Sequence, residues 1–278
     1  MVRKNPESGL SKGIRKTMTS LNLDEPLVSN QYQKEFIVKI ANSLEEREAV
    51  FRLAYQVYLE KGFIKPNFAE WLVQNYDAMN ATVVLSVWDK NKKLAGSLTL
   101  IFEENMKLPA EKIYSDEIKT LRAKGEKLLE VSRLVVSQEF RNSKEVLLLL
   151  YNYLMIYSFY VKNYSGMVIE VNPRHKAYYK ALLKYDEIGV EKACPSVQNA
   201  PAVLLYLPLT RYQSEVKYFA NQTQLGLKER SLYPHFLKPE QETLVAYYLS
   251  RQVKPMSSEE KQYFGFTESG ISRVVCIW

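Results

Sequence analysis

The sequence predicts an α/β (α+β) fold, a mixed sheet with helices on both faces, and three observations carry that expectation. Apolar strand-like runs alternate with segments of helical period, the pattern that builds layered sheets rather than bundles. Two runs, Thr82 to Trp88 and Leu94 to Phe102, flank the polar turn Asp89 to Lys93 as a hairpin would. The sixteen consecutive uncharged residues from Val146 to Val161 are too few and too polar to span a bilayer, and predict a buried helix.

Taken in order, Lys34 to Ala41 predicts a first strand. A helix of about five turns follows, with Ser43 and Glu46 as its capping box and Gly62 near its end. After the hairpin, Pro109 precedes a polar helical segment near Glu111 to Lys124, and Leu128 to Val136 returns as a strand. The uncharged helix is expected to be capped by Asn142 and Glu145 and to exit through Asn163 to Gly166. Most of it should be core, with one edge free for a ligand. Met167 to Val171 predicts a strand, Pro173 opens a short helix, and Ile188 and Ala202 to Leu207 mark two last strands. Residues 1–30 are expected to be a flexible N-terminal segment, 31–210 the core and 211–278 a helical C-terminal extension in which Pro239 to Gln252 reads as helix.

Composition narrows the class. A hydrophobic fraction of 46% with 25% charged residues is that of a globular chain. Cys194 and Cys276 have neither metal-ligand spacing nor a disulfide framework, which fits a reducing cytoplasm. The first thirty residues look like neither a secretory signal nor an anchor. A net charge of +7 favours acidic partners, but the basic residues are dispersed and no zinc-finger spacing is present, which argues against nucleic acid.

Leu128 to Val136, LLEVSRLVV, puts a carboxylate and a guanidinium on an otherwise apolar strand. Strict alternation sends Glu130, Ser132 and Leu134 to one face and Val131, Arg133 and Val135 to the other. A buried carboxylate has its pKa raised toward neutrality, the condition a proton acceptor needs. The same two residues would equally serve as ion-pair partners that hold the sheet.

LEVSRLVV leading into FRNSKEVLLLLYNYL, then VIEVNPRHKAYYKALLKYDEIG and APAVLLYLPL, resembles the acetyltransferase (GNAT) superfamily. FRLAYQVY, LAGSLTLIF, the LP…LR…G spacer and NPRHKAYY add a resemblance, over roughly residues 34 to 209, to the N-acyl amino acid synthases of the FeeM type, relatives of the acyl-homoserine lactone synthases. The resemblance implies a GNAT-like, mostly antiparallel sheet. It also implies transfer of a fatty acyl group from a phosphopantetheine thioester to the amine of an amino acid, with acyl carrier protein as donor and no resident cofactor or metal. The product would make at most peripheral contact with a membrane. Glu130 matches the Glu of the E-x-S-R motif and takes the base or amine-positioning role. Arg133 matches its Arg, orienting an acidic group or meeting a substrate carboxylate. Arg52 matches a first-helix Arg at the amino-acid or pantetheine end, and main-chain amides around Leu134, Val135 and Val136 would hold the oxyanion. Tyr179, with Tyr178 as rival, would protonate the departing thiolate, and Asn172 and His175 would line the substrate site. Where coenzyme A enzymes carry a glycine-rich pyrophosphate loop, this chain reads Arg141, Asn142, Ser143, Lys144, Glu145, Val146, with no glycine. Arg141, Lys144, Lys176, Lys180 and Lys184 would instead face an acidic carrier. Thr99 replaces an arginine usual in the lactone synthases, which argues against S-adenosylmethionine as acceptor. Two further readings fit these residues: an acyl-CoA-dependent acyltransferase on another amine, and a non-catalytic lipid-binding module.

Overall fold

The computed structural model describes residues 35–104, 106–220, 229–267 and 270–271, so the expected N-terminal segment 1–30 lies outside the described residues. Seven strands form one sheet: β1 (Phe36–Ile40), β2 (Thr82–Asp89), β3 (Leu94–Phe102), β4 (Leu128–Val136), β5 (Gly166–Val171), β6 (Asp186–Cys194) and β7 (Ala200–Pro208). Their order is β1-β2-β3-β4-β5-β7-β6, and β4–β5 is the parallel contact in an otherwise antiparallel ladder. A short hairpin, β8 (Phe266–Thr267) with β9 (Gly270–Ile271), stands apart from it.

Helices cover both faces. On one side lie α1 (Leu44–Glu60) and α2 (Glu111–Ala123). On the other lie α3 (Lys144–Ile156), α4 (Lys176–Leu183), α5 (Leu209–Ala220) and α6 (Pro239–Gln252), and a short α7 (Ser258–Tyr263) returns to α1. Ser43 caps α1 by accepting from Glu46 N, but the Glu46 carboxylate reaches back to Asn42 N rather than to the cap residue. At α3 the cap is Ser143, not Asn142. Its hydroxyl accepts from Val146 N and donates to Glu145. The uncharged segment packs inside the main core, as its composition requires, and ends in one turn of π-helix at Tyr157–Val161.

Two irregularities of β4 shape everything that follows. The ladder with β5 runs only from Leu128↔Gly166 to Val131↔Ile169, so beyond that point the strands part and leave a wedge-shaped opening. Against β3, the pairing passes from Thr99↔Ser132 to Ser97↔Val135, which puts one extra residue into β4 as a bulge. Arg133 sits there with φ of 49°. The expected alternation therefore holds only as far as Ser132 and then inverts. Val135 packs on Leu53 and Val57 of α1, while Leu134 and Val136 turn to the core under α3. Arg133 consequently shares a face with Glu130, correcting the expectation that they point apart.

No described helix is long and apolar enough to cross a membrane. Residues beyond β7 pack back on the sheet's helices: Tyr212, Tyr233, Leu237, Val245 and Leu249 belong to the same cluster as α3. Ile40 N donates to Gln252 Oε1 at 2.8 Å, and Arg47 of α1 pairs with Glu260.

Candidate active site

The opening between β4 and β5 enlarges into a cavity of about 620 Å³, whose lining includes Glu130, Arg133, Leu134, Val135, Val136, Arg141, Asn172, His175 and Tyr179. The sheet supplies its floor and the edge of α3 formed by Leu147, Tyr151 and Leu154 one wall; these three, at helical spacing, are the part of the uncharged helix that faces the cavity. Backbone groups of Ser132 to Val136 on the β5 side have no strand partner and edge the same space.

Glu130 is 3% exposed. Its Oε2 accepts from Ala110 N at 2.8 Å, the residue that starts α2. Burial outweighs that bond, aided by repulsion from Glu170, and pushes its carboxyl up to about 8. Near neutral pH the group is therefore mostly protonated, with a usable fraction ionised, and a modest rise in pH converts it to a base.

Arg133 is also buried, but it does not touch Glu130. Nη1 donates to Leu72 O at 3.0 Å and Asp77 Oδ2 at 2.8 Å; Nη2 donates to Asp77 Oδ1 and, at 3.0 Å, to Thr99 Oγ1. With both terminal nitrogens filled, it has no fork left for a substrate carboxylate. It instead fastens the segment carrying Leu72, Gln74 and Tyr76, which forms another wall of the cavity. Thr99 acquires a role of its own as an anchor for that guanidinium.

Arg52 lies outside the cavity. It pairs with Glu48 at 2.8 Å and Glu70 at 3.7 Å and stacks over Trp71, so the expectation that it meets substrate is corrected. The lysines expected to face a carrier lie at the surface in partly exposed pairs: Lys176 with Glu187 at 3.0 Å, Lys180 with the same carboxylate at 4.0 Å, and Lys184 with Glu215 at 2.6 Å, while Lys144 is exposed. Arg141 does line the cavity, though paired with Glu60.

Tyr179 is half-buried and packs edge-on against Tyr151, Tyr178 and Tyr185, and burial raises its pKa. Its rival Tyr178 is 39% exposed. Asn172 spends its side-chain oxygen on capping Arg174 N. His175 accepts from Arg174 Nε through Nε2 at 3.1 Å, and burial, with Arg174 and Lys61, lowers its pKa. Sequence reasoning missed Glu170, Lys112 and Tyr151. Glu170 stood in VIEV with the same signal as Glu130, a charge inside an apolar strand; Tyr151 was hidden among twenty tyrosines, and Lys112 carried no signal at all.

A parallel contact that splays open, a buried carboxylate in the gap and an apolar helix edge beside it define an acyltransferase of the GNAT-like fold. The model of the N-acyl amino acid synthase FeeM family matches residues 49–208, and the chain belongs to that family. It is an N-acyltransferase. The structure of FeeM, an N-acyl amino acid synthase from uncultured soil microbes, is similar at 24% identity and a TM-score of 0.56, over 64% of this chain and 93% of that one. The lactone synthase LasI matches at 18% identity and a TM-score of 0.46, over 63% and 90% of the two chains. An acyl-CoA N-acyltransferase from Pseudomonas aeruginosa matches at 16% and 0.44, over 62% and 97%. No curated protein sequence matches the chain.

Proposed function

We propose that the enzyme moves a long-chain acyl group from the phosphopantetheine thioester of acyl carrier protein to the amine of an amino acid. The observation that carries the reading is Glu130, a buried carboxyl with a pKa near 8 at the throat of a cavity with an apolar wall. The acceptor arrives as an ammonium and cannot attack until it loses a proton. Glu130 takes that proton, the nitrogen adds to the thioester carbonyl, the C–N bond forms, the C–S bond breaks and the thiolate leaves with a proton from Tyr179, whose phenolate recovers one from the second N–H of the new amide nitrogen. Backbone amides along Leu134 to Val136 face the developing oxyanion. The methylenes of the acyl chain lie along Leu147, Tyr151 and Leu154, each contributing about 0.8 kcal/mol on burial.

The start of α3 supports a carrier protein over coenzyme A. Ser143 caps that end and its hydroxyl holds the Glu145 carboxylate beside it, so a carboxylate stands where a pyrophosphate would bind. A carrier-bound pantetheine brings a single phosphodiester and does not need that terminus.

The test is mass-spectrometric detection of product from acyl carrier protein or acyl-CoA with pooled amino acids. Glu130→Gln should lower turnover from the carrier about a hundredfold to ten-thousandfold. Equal turnover by the variant would reject Glu130 as base, and a preference for acyl-CoA would reject the carrier as donor.

A further inference from the structure

The cavity is electrically lopsided, and the asymmetry bears on the acceptor. Val168 lies opposite Glu130 in the β4–β5 ladder, and Glu170 follows two residues later, so both carboxylates leave the sheet on the side covered by α2 and open on the cavity. The first turn of α2 closes this end: Ala110 N holds Glu130, Glu111 is drawn away into a pair with Arg122, and Lys112 reaches the rim. Lys112 is exposed and has no ion-pair partner among the described residues. The other cations of the cavity stand elsewhere. Arg133 is neutralised by Asp77, and Lys61 lies near Arg174 and Arg141, where burial and those guanidinium groups lower its pKa.

We propose that this end is the acceptor subsite and that it selects a zwitterion, with Glu130 and Glu170 receiving the α-ammonium and Lys112 the α-carboxylate. The inference rests on the amino-acid reading above and adds two residues to it. One carboxylate suffices to accept a proton; the second keeps the amine cationic and fixed until the thioester arrives. Lys112 gives the site a reason to prefer an amino acid to a simple amine, because an acceptor without a carboxylate forfeits a charge-assisted contact. Glu170 faces little that would neutralise it: burial raises its pKa, the Cys194 thiol of β6 beside it is pushed up to about 12 and stays protonated, and Lys112 is the nearby cation. Glu130 sees Glu170 from β5 and Glu111 and Lys112 from α2.

The experiment uses the full-length enzyme, a long-chain acyl carrier protein, and each amino acid beside its own C-terminal amide. The wild type should prefer acid to amide by about tenfold to a hundredfold in kcat/KM. Lys112→Met should erase that preference through KM for the acceptor, with KM for the carrier unchanged, and Lys112→Glu should invert it. Glu170→Gln should move the rising limb of the pH–rate profile to lower pH, since it removes a like charge that raises the pKa of Glu130. Undiminished discrimination in Lys112→Met would overturn the carboxylate assignment while leaving the amino-acid reading intact. An unmoved limb in Glu170→Gln would overturn the paired-carboxylate assignment. A wild type that acylates amides and plain amines as well as it does amino acids would instead sink the amino-acid reading itself.

Discussion

At the scale of single residues, two buried carboxyls carry opposite meanings. Glu130 opens on the cavity; Glu242 is sealed in the core, where its carboxyl accepts from Tyr160 at 2.9 Å and from Tyr212. Burial raises Glu242 from its ordinary 4.5 to about 7. A group whose folded pKa is raised binds its proton more tightly in the folded state, so its contribution to stability is full below about pH 4.5 and is lost as pH rises through about 7. Each unit is worth about 1.4 kcal/mol. Glu242→Gln, which keeps the shape and cannot ionise, should therefore flatten the fall in Tm between pH 5 and pH 8; a parallel pH dependence in wild type and variant would exclude this account. For Glu130 the same rise is put to use, and kcat/KM should climb toward about pH 8 and level off above it. Arg52 provides the contrast. It sits in partly exposed ion pairs outside the cavity, and such pairs contribute about 0–1 kcal/mol. Arg52→Ala should leave KM and kcat within about twofold, and a loss comparable to that of Glu130→Gln would restore Arg52 to the site.

At the scale of elements, the sequence was a good guide wherever local chemistry sets the answer. The bounds Leu128 to Val136 are legible because a mostly apolar run ends at polar neighbours, and the Asp89 to Lys93 turn because polar residues separate two mostly apolar runs. The helix edge at Leu147, Tyr151 and Leu154 was readable as an edge, though not as those residues. The bulge at Arg133 was not legible. A positive φ normally announces itself by Gly or Asn, and here tertiary contacts force it on an arginine: Asp77, Leu72 O and Thr99 fill the guanidinium and hold the backbone. That long-range pairing across 56 residues has no local signature; it reversed the facing expected of Arg133 and, of its two expected roles, left the guanidinium the one on an acidic side chain. Asp77→Ala should leave a buried guanidinium unpaired and cost about 3–5 kcal/mol in urea unfolding, with loss of activity as the Leu72 to Tyr76 wall loosens. A cost below about 1 kcal/mol would mean the pair is not what fixes the bulge. The other side of the same strand is tightened by Gly96, where an added Cβ would stand 2.9 Å from Val135 O and 3.0 Å from a methyl of Val146.

At the scale of the whole molecule, the question is why the chain continues past the fold that its family shares. The family model ends at residue 208, yet Tyr212, Tyr233, Leu237, Val245 and Leu249 are buried in the cluster that holds α3 against the sheet. The dependence runs in both directions. Asn152 of α3, 3% exposed, receives a hydrogen bond from Leu237 N at 3.0 Å, and Glu242 lies beneath Tyr160 just after α3. Further along, the carbonyl and side chain of Gln252 cap the free ends of β1 and of the turn into α1 through Asn42 Nδ2 and Ile40 N. Ending the chain at Pro208 would expose this apolar face of α3, whose opposite edge lines the cavity, and strip a polar partner from a buried amide. The truncated chain should therefore lose cooperative unfolding and its near-ultraviolet circular dichroism, and acyl transfer should fall with them. Supplying residues 209–278 as a separate polypeptide should restore part of both signals, because the apolar cluster shared by the two pieces gives them a specific surface on which to fold together. A truncated enzyme that unfolds cooperatively at the wild-type Tm would instead show that the extension only rests on the core, and that the cavity is built by the shared fold alone.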